Sequence, residues 1–254
     1  RKYVHKFGQP DIIHAHNALH AGLLADVIQR ETHIPFVLTE HSSYYHQDLI
    51  PRNLIRKVRK VVDAAHSMIV VSPALKATMI EKLGDFDRAE VVPNVLPENF
   101  ENEEIGRQVD TENEFRFLCV GNFLPIKGQE TLIEAFVEVS TACPTATLDL
   151  IGDGPTREQL MLKVHGLGLR NRVNFKGLCT SDEVRQWMLK SDALVLPSRF
   201  ETFGVVVIEA LASGVPVLAT RCGGPDFIVT KQDGLLVEPD SVEALAAGML
   251  EILR

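Results

Sequence analysis

Two carboxylates eight positions apart, Glu201 and Glu209, lie in the stretch Pro197-Ser198-Arg199-Phe200-Glu201-Thr202-Phe203-Gly204-Val205-Val206-Val207-Ile208-Glu209-Ala210. An apolar run ends at Leu196 just before it. The pattern predicts a strand, a short loop carrying Glu201, and a helix from near Gly204 that carries Glu209 about one and a half turns in. Open parallel sheets bind ligands at this edge, outside the carboxyl ends of their strands. The free N–H groups of Phe203 to Val206 can meet an anion there, with the positive end of the helix dipole behind them. The two carboxylates can accept hydrogen bonds from sugar or ribose hydroxyls. A plainer reading of the same spacing is that both acids only complement a helix N-terminus.

Other groupings compete for attention. Asp11, His14, His16 and His20 could surround a zinc ion, yet no carboxylate or cysteine pattern completes such a site, and histidines at a strand end are more often packed or hydrogen-bonded. Gly152-Asp-Gly154 lacks the third glycine of a dinucleotide fingerprint, which disfavours a nicotinamide enzyme. Asp85-Phe-Asp87 follows a predicted helix ending near Gly84 and reads as a polar turn rather than a metal site.

The elements that must position these residues are short β-branched runs alternating with helical periodicity, the pattern of an α/β protein with parallel sheets. Strands are predicted at Asp11–Ala15, Pro35–Thr39, Ser67–Val71, Glu90–Pro93, Arg116–Val120, Thr147–Ile151, Arg172–Phe175, Ala193–Leu196, Pro216–Ala219 and Leu235–Val237. Leu54, Ile55, Val58, Val61, Val62 and Ala65 share one helical face, as do Leu132, Ile133, Phe136 and Val139. Thr180 and Glu183 form a capping-box pattern, and Gly154-Pro155 places proline where a first helical residue tolerates it. An acidic, almost apolar-free tract divides the chain, giving residues 1–97, a linker at 98–114, and residues 115–254.

Taken together, these motifs resemble retaining glycosyltransferases of family 4, the group 1 glycosyltransferases. Besides the Glu201-x7-Glu209 signature, Asp11-Ile-Ile-His14-Ala-His16 is similar to that family's Asp-x-x-His-x-His strand end, and Thr39-Glu-His41 to its Thr-x-His element. Val92-Pro93-Asn94 is similar to its interdomain Pro-Asn, and Val120-Gly121-Asn122-Phe-Leu-Pro-Ile-Lys127-Gly128 to its diphosphate loop. Ile151-Gly152-Asp153-Gly154-Pro155, Phe175-Lys-Gly177, Ala212-Ser-Gly214-Val-Pro216-Val and Gly223-Gly224 continue the series in order along nearly the whole chain.

The resemblance implies a GT-B fold, two Rossmann-like domains facing a cleft. Residues 1–97 would be an incomplete acceptor-side domain and 115–254 the nucleotide-sugar-binding domain. It also implies roles: Glu201 for donor-sugar hydroxyls, Glu209 for the ribose, Lys127 for the diphosphate, Gly177 beside the base, and His41 near the donor sugar. His41, Lys127 and Glu201 would form the catalytic set. Gly121, Asn122, Gly177, Arg199, Phe203, Gly204, Val205 and Glu209 would bind the donor. Asn122 stands where the family usually has Arg, so one of two phosphate cations is lost, and Arg199 is the candidate substitute. Asp226 takes the place of the more usual Glu after the paired glycines. The family's opening strand with its glycine-rich loop, and its final returning helix, have no counterpart here, so an excised piece is expected.

The implied reaction is sugar transfer, with retention, from a nucleotide diphosphate sugar to a carbohydrate or lipid-linked acceptor. Lys127 and the helix N–H groups would stabilise the leaving diphosphate, so no metal or other cofactor is expected. Two alternatives stay open: a GT-B sugar-nucleotide epimerase, which product analysis would distinguish, and a non-catalytic nucleotide-sugar binding module, which would bind donor without turnover.

Composition bounds the setting. The 254 residues are 45% hydrophobic and 24% charged with a mean hydropathy of +0.04, which excludes a disordered or collagen-like chain. Residues 1–97 carry a net charge of +2 and residues 98–254 a net of −10, which argues against nucleic acid as a partner. Cys119, Cys143, Cys179 and Cys222 are scattered singly, and no apolar run is long enough to span a bilayer, so a reducing cytoplasm is the simplest setting. The predicted helix from Arg52 to Lys60 sets Arg52, Arg56, Lys57, Arg59 and Lys60 opposite its apolar face. Such a face is ordinarily solvated, but it can rest weakly on anionic lipid.

Overall fold

A computed structural model describes residues 2–86, 88–100 and 114–254. It divides into two compact units, residues 1–94 and 95–254.

In the first unit, β1 (Ile13–His16), β2 (Phe36–Glu40), β3 (Ser67–Val70) and β4 (Ala89–Val91) form a parallel sheet in sequence order. The helices are α1 (Lys2–Phe7), α2 (Leu23–Thr32), α3 (Arg52–Ala64) and α4 (Pro73–Leu83). Phe36 and Leu38 on β2 are fully buried, and Val58, Val61 and Val62 are the buried residues of α3. Leu54 and Ile55 are only half-buried, and Ala65 lies just beyond the helix end, so the inward face is narrower than periodicity predicts. Ser72 caps α4 by accepting from the Leu75 N–H at 3.1 Å.

The second unit holds β5 (Arg116–Val120), β6 (Thr147–Ile151), β7 (Val173–Gly177), β8 (Ala193–Leu196), β9 (Val217–Thr220) and β10 (Gly234–Val237), all parallel, in the order β10-β9-β8-β5-β6-β7. The helices are α5 (Gln129–Ala142), α6 (Arg157–Gly166), α7 (Ser181–Leu189), α8 (Val205–Ala212), α9 (Gly224–Ile228) and α10 (Val242–Ile252). Strand residues alternate between two buried faces. Phe117, Leu148 and Val195 pack with Leu132, Phe136 and Met249, whereas Leu118, Leu194 and Val217 pack with Met188, Val207 and Ala210. The chain lays β6 and β7 on one side of β5, then returns to lay β8, β9 and β10 on the other. The reversal makes the carboxyl ends of β5 and β8 a topological switch point, the place where open α/β sheets take ligands.

All ten predicted strands form, with ends shifted by up to two residues; β1 runs through His16 and β7 through Gly177. The Thr180–Glu183 capping box is present. Pro155 differs: α6 begins at Arg157 with Thr156 as its N-cap. Proline instead occupies a turn in which the Arg157 N–H donates to the Gly154 carbonyl at 3.1 Å, a position its fixed φ also suits. The start of the predicted acidic linker is docked rather than free. Glu98–Phe100 makes a 3₁₀ turn, Phe100 is buried with Leu118 and Leu194, and the Asn99 amide donates to Asp182 at 2.9 Å. One phenylalanine supplies the apolar anchor in an otherwise acidic tract. Residues 101–113 of that linker lie outside the described residues.

Candidate active site

Lys127 follows β5 at the end of a 3₁₀ turn, Pro125–Lys127, and Glu201 follows β8. Their loops are pressed together. Gly128 has φ +67°, and a Cβ there would lie 2.0 Å from the Pro197 carbonyl oxygen, so only glycine allows this approach. The Arg199 N–H also donates to the Ile126 carbonyl at 2.8 Å, tying the second loop to the first. Lys127 Nζ and Glu201 Oε1 consequently sit 2.6 Å apart, with side chains 26% and 12% exposed. The fully buried Ser198 donates its hydroxyl to the same carboxylate oxygen at 2.8 Å. Backbone bonds fix Glu201 further: its N–H donates to the Cys222 carbonyl at 2.9 Å, and its carbonyl accepts from the Gly224 N–H at 2.8 Å.

Beside this pair, α8 begins with Phe203 buried, Gly204 as N-cap in the left-handed conformation, and Val205 exposed as the first helical residue. The Val207 N–H turns back to the Gly204 carbonyl at 2.9 Å, whereas the N–H groups ahead of it have no acceptor a turn earlier in the helix, so this end is a donor surface with a favourable dipole. Glu209 is half-buried on the same helix. Burial alone pushes its carboxyl above the usual carboxylate range. Such a group gains most from hydroxyl donors that would stabilise its charge.

Gly121 leaves β5 with its N–H donating to the Ile151 carbonyl at 2.9 Å, and the exposed Asn122 accepts from the Gln129 side-chain amide at 3.0 Å through its carbonyl. Gly177 ends β7 at φ +77°, its carbonyl accepting from the Gly152 N–H at 2.8 Å, and no heavy atom lies within 4 Å of the place a Cβ would take. Arg199 Nε binds Asp240 at 2.5 Å, both side chains about half exposed, so its charge is shared with a carboxylate across the loop. Asp226 accepts from the Gly223 N–H at 2.8 Å and lies 3.7 Å from Arg221. Buried Cys119 and Cys222 have thiols pushed up to about 12 by burial, which keeps both protonated and inert near neutrality.

The first unit gathers its own polar cluster at the carboxyl edge of its sheet. His14 Nε2 lies 2.7 Å from Thr39 Oγ1, and His16 Nδ1 lies 2.9 Å from His41 Nε2 with the two rings stacked at 5.2 Å. One imidazole of the second pair must accept, so at least one is neutral. Burial, followed by the neighbouring His16 and then His14, lowers the His41 pKa against the opposing Asn94 hydrogen bond. His20 lies on a π-helical turn, Asn17–Gly22, and lines the same cavity as His41. Among the described residues no group of three or more His, Cys, Asp or Glu side chains is arranged to hold a metal ion. Asp87 of the Asp85-Phe-Asp87 sequence lies outside the described residues.

Sequence reasoning passed over Ser198 and Glu40. Ser198 precedes Glu201 by three positions, the reach of a side-chain turn, and this spacing was the available signal. Glu40 lies between the two noted residues of Thr39-Glu-His41, as a charged residue ending a buried strand.

Residues 101–254 match the family model of glycosyl transferases group 1, and residues 1–99 that of glycosyltransferase family 4. A putative teichuronic acid biosynthesis glycosyltransferase of Bacillus subtilis is 33% identical over 247 residues, covering 93% of this chain and 60% of that protein. An uncharacterized glycosyltransferase of Methanocaldococcus jannaschii is 32% identical over 252 residues, covering 96% of this chain and 66% of the relative. The chain thus spans about 60–66% of the length of these curated relatives. Among solved structures, Anabaena Alr3699/HepE in complex with UDP and glucose superposes with a TM-score of 0.85 at 26% identity, over 100% of this chain and 71% of that one. Sucrose-phosphate synthase from Thermosynechococcus elongatus gives 0.87 at 26% identity, over 99% and 66%.

Proposed function

The chain belongs to the group 1 glycosyltransferase family, and on that premise we propose that it moves a sugar, with retention of configuration, from a nucleotide diphosphate sugar to a carbohydrate or lipid-linked acceptor. The observation that carries this reading is the Lys127–Glu201 pair, a cation and a carboxylate held 2.6 Å apart at the switch point beside the N-terminus of α8. Lys127 and the first-turn N–H groups stabilise the charge that develops on the departing diphosphate. That provision supports transfer without a metal. Glu201 binds hydroxyls of the transferred sugar, and Glu209 the ribose. With Oε1 taking bonds from both Lys127 and Ser198, Glu201 is assigned to orient the sugar, and acceptor attack from the leaving-group side is the course that goes with this assignment. Gly177 passes beside the base, and Asn122 leaves the diphosphate to Lys127 and the helix. His41 is assigned to sugar hydroxyls reaching the carboxyl edge of the first sheet.

UDP is the proposed nucleotide, supported by the UDP and UDP-glucose in complexes of Anabaena Alr3699/HepE. A thermal-shift panel of UDP, GDP and ADP, with and without EDTA, tests the reading. UDP at about 100 times its Kd should add roughly 2.7 kcal/mol of stability irrespective of chelator. No stabilisation by any nucleotide refutes the donor site, and loss of stabilisation in EDTA refutes metal independence.

No helix among the described residues is long and apolar enough to cross a membrane. Arg52, Arg56, Lys57 and Lys60 are exposed on α3, whereas Arg59 binds Asp63 and the Leu83 carbonyl. The exposed cations support weak peripheral contact with the inner, anionic face of the cytoplasmic membrane, read by cosedimentation with phosphatidylglycerol vesicles at low and high salt.

A further inference from the structure

Glu40 ends β2 at 1% exposure, and both of its carboxylate oxygens are occupied. Oε2 accepts from the Ala18 N–H at 2.9 Å and the Tyr45 hydroxyl at 2.9 Å, while Oε1 accepts from the His41 N–H at 3.0 Å and the Ser42 N–H at 2.8 Å. An ionised carboxylate offers about four lone-pair sites, so none remains for a substrate hydroxyl. Glu40 therefore does not act on substrate directly. Its four donors come from the π-helical turn after β1 and the loop that follows β2, at the carboxyl edge of the sheet. These segments wall a cavity of about 310 Å³ lined by Asn17, His20, His41, Ser43 and Tyr44, with Glu40 in its wall. Alternating hydroxyl, amide and imidazole groups suit a ligand that presents many hydroxyls of its own.

We propose that Glu40 is a positioning residue, which clamps the π-helical turn, His41 and Ser42–Tyr45 into a subsite for one hexopyranose ring. This deepens the glycosyltransferase reading and rests on it. The ring is that of a carbohydrate acceptor, whose hydroxyls match the donors and acceptors of the cavity wall. Burial raises the Glu40 pKa, while its hydrogen bonds oppose that shift and favour the charged form. The clamp requires the carboxylate, since an amide in its place turns one acceptor into a donor facing other donors.

The test follows imidazole signals in the 254-residue protein, wild type, Glu40→Gln and Tyr45→Phe, titrated with free glucose and with UDP-glucose. Calorimetry with UDP serves as a control on the other unit. Free glucose should perturb the His41 signals of the wild type, and a response to UDP-glucose alone would overturn the assignment to an acceptor. Glu40→Gln should shift the His41 signals before ligand is added and weaken the responding sugar about tenfold, equivalent to about 1.4 kcal/mol, with UDP affinity unchanged. Tyr45→Phe removes one donor and should give a smaller loss in the same direction, which carries the test if Glu40→Gln does not fold. A role confined to stability would lower the melting temperature and leave sugar affinity and the His41 signals as in wild type. That result in either folded variant, or no response of the wild type to either sugar, overturns the proposal. Failure of the wild type to bind UDP overturns the functional reading instead, and the shift of the His41 signals still decides the role of Glu40.

Discussion

Removing Glu201 should tighten the binding of nucleotide and favour the nucleotide sugar less, or weaken it. In the unliganded protein its carboxylate holds Lys127 at 2.6 Å, with both side chains mostly shielded from solvent. A diphosphate bound at Lys127, as proposed, must draw the amine away from Glu201 or share it. Exposed ion pairs contribute about 0–1 kcal/mol, while breaking a buried one costs about 3–5 kcal/mol. At 26% and 12% exposure the pair falls between these limits, so its competition with phosphate is worth roughly 1–2 kcal/mol. In Glu201→Ala, Lys127 has lost its partner and the anion faces no competing carboxylate. UDP should then bind about fivefold to thirtyfold more tightly than to wild type, at 1.4 kcal/mol per decade. The sugar-bearing donor gains the same term and loses its hydroxyl bonds to a charged group, worth about 1.5–3 kcal/mol, so UDP-glucose should gain less than UDP or lose affinity outright. The unliganded variant should be less stable, because the buried Ser198 hydroxyl has lost its acceptor. Isothermal calorimetry with UDP and UDP-glucose on both proteins reads each term. Weaker UDP binding in a folded Glu201→Ala would show that Glu201 supports the phosphate site instead of competing for its cation.

Glu209→Ala should weaken UDP and UDP-glucose alike, by roughly 1.5–3 kcal/mol for ribose bonds to a carboxylate, and a loss confined to UDP-glucose would move Glu209 to the sugar. Because burial holds the Glu209 carboxyl above its ordinary range and ribose hydroxyls favour its charged form, nucleotide affinity should be full above that raised pKa and fall as pH drops through it. Calorimetry in buffers of different ionisation heat should accordingly detect proton release on binding in mildly acidic solution in wild type but not in Glu209→Gln. Gly128→Ala should destabilise the second unit by more than the roughly 1–3 kcal/mol of left-handed backbone strain, since its Cβ would also meet the Pro197 carbonyl at 2.0 Å, and denaturant melts with a UDP titration would show both the lost stability and a weakened phosphate site. Wild-type stability in that variant would mean that the two loops can separate without cost.

Local pattern carried much of the architecture. β-Branched runs and helical periodicity located the strands, Thr180 and Glu183 announced a helix start, and the Glu201–Glu209 spacing put one carboxylate in a loop and the other on the helix after it. These features are legible because they depend on residues within a few positions of each other. What the chain order could not reveal was that β8 returns to lie against β5 on the side away from β6. This strand order brings Lys127 and Glu201 together across 74 positions, because the loops following neighbouring strands must converge at the same edge. Tertiary packing also committed Arg199 to Asp240, buried Phe100 from an acidic tract, and closed four donors around Glu40. Each of these depends on which surfaces meet, and hydrophobic burial selects those surfaces over the whole chain without regard to distance along it. The sequence alone therefore determined the elements, the family resemblance and the chemical types at the site, while the tertiary structure decided which charges neutralise one another and which carboxylate is free to meet a ligand.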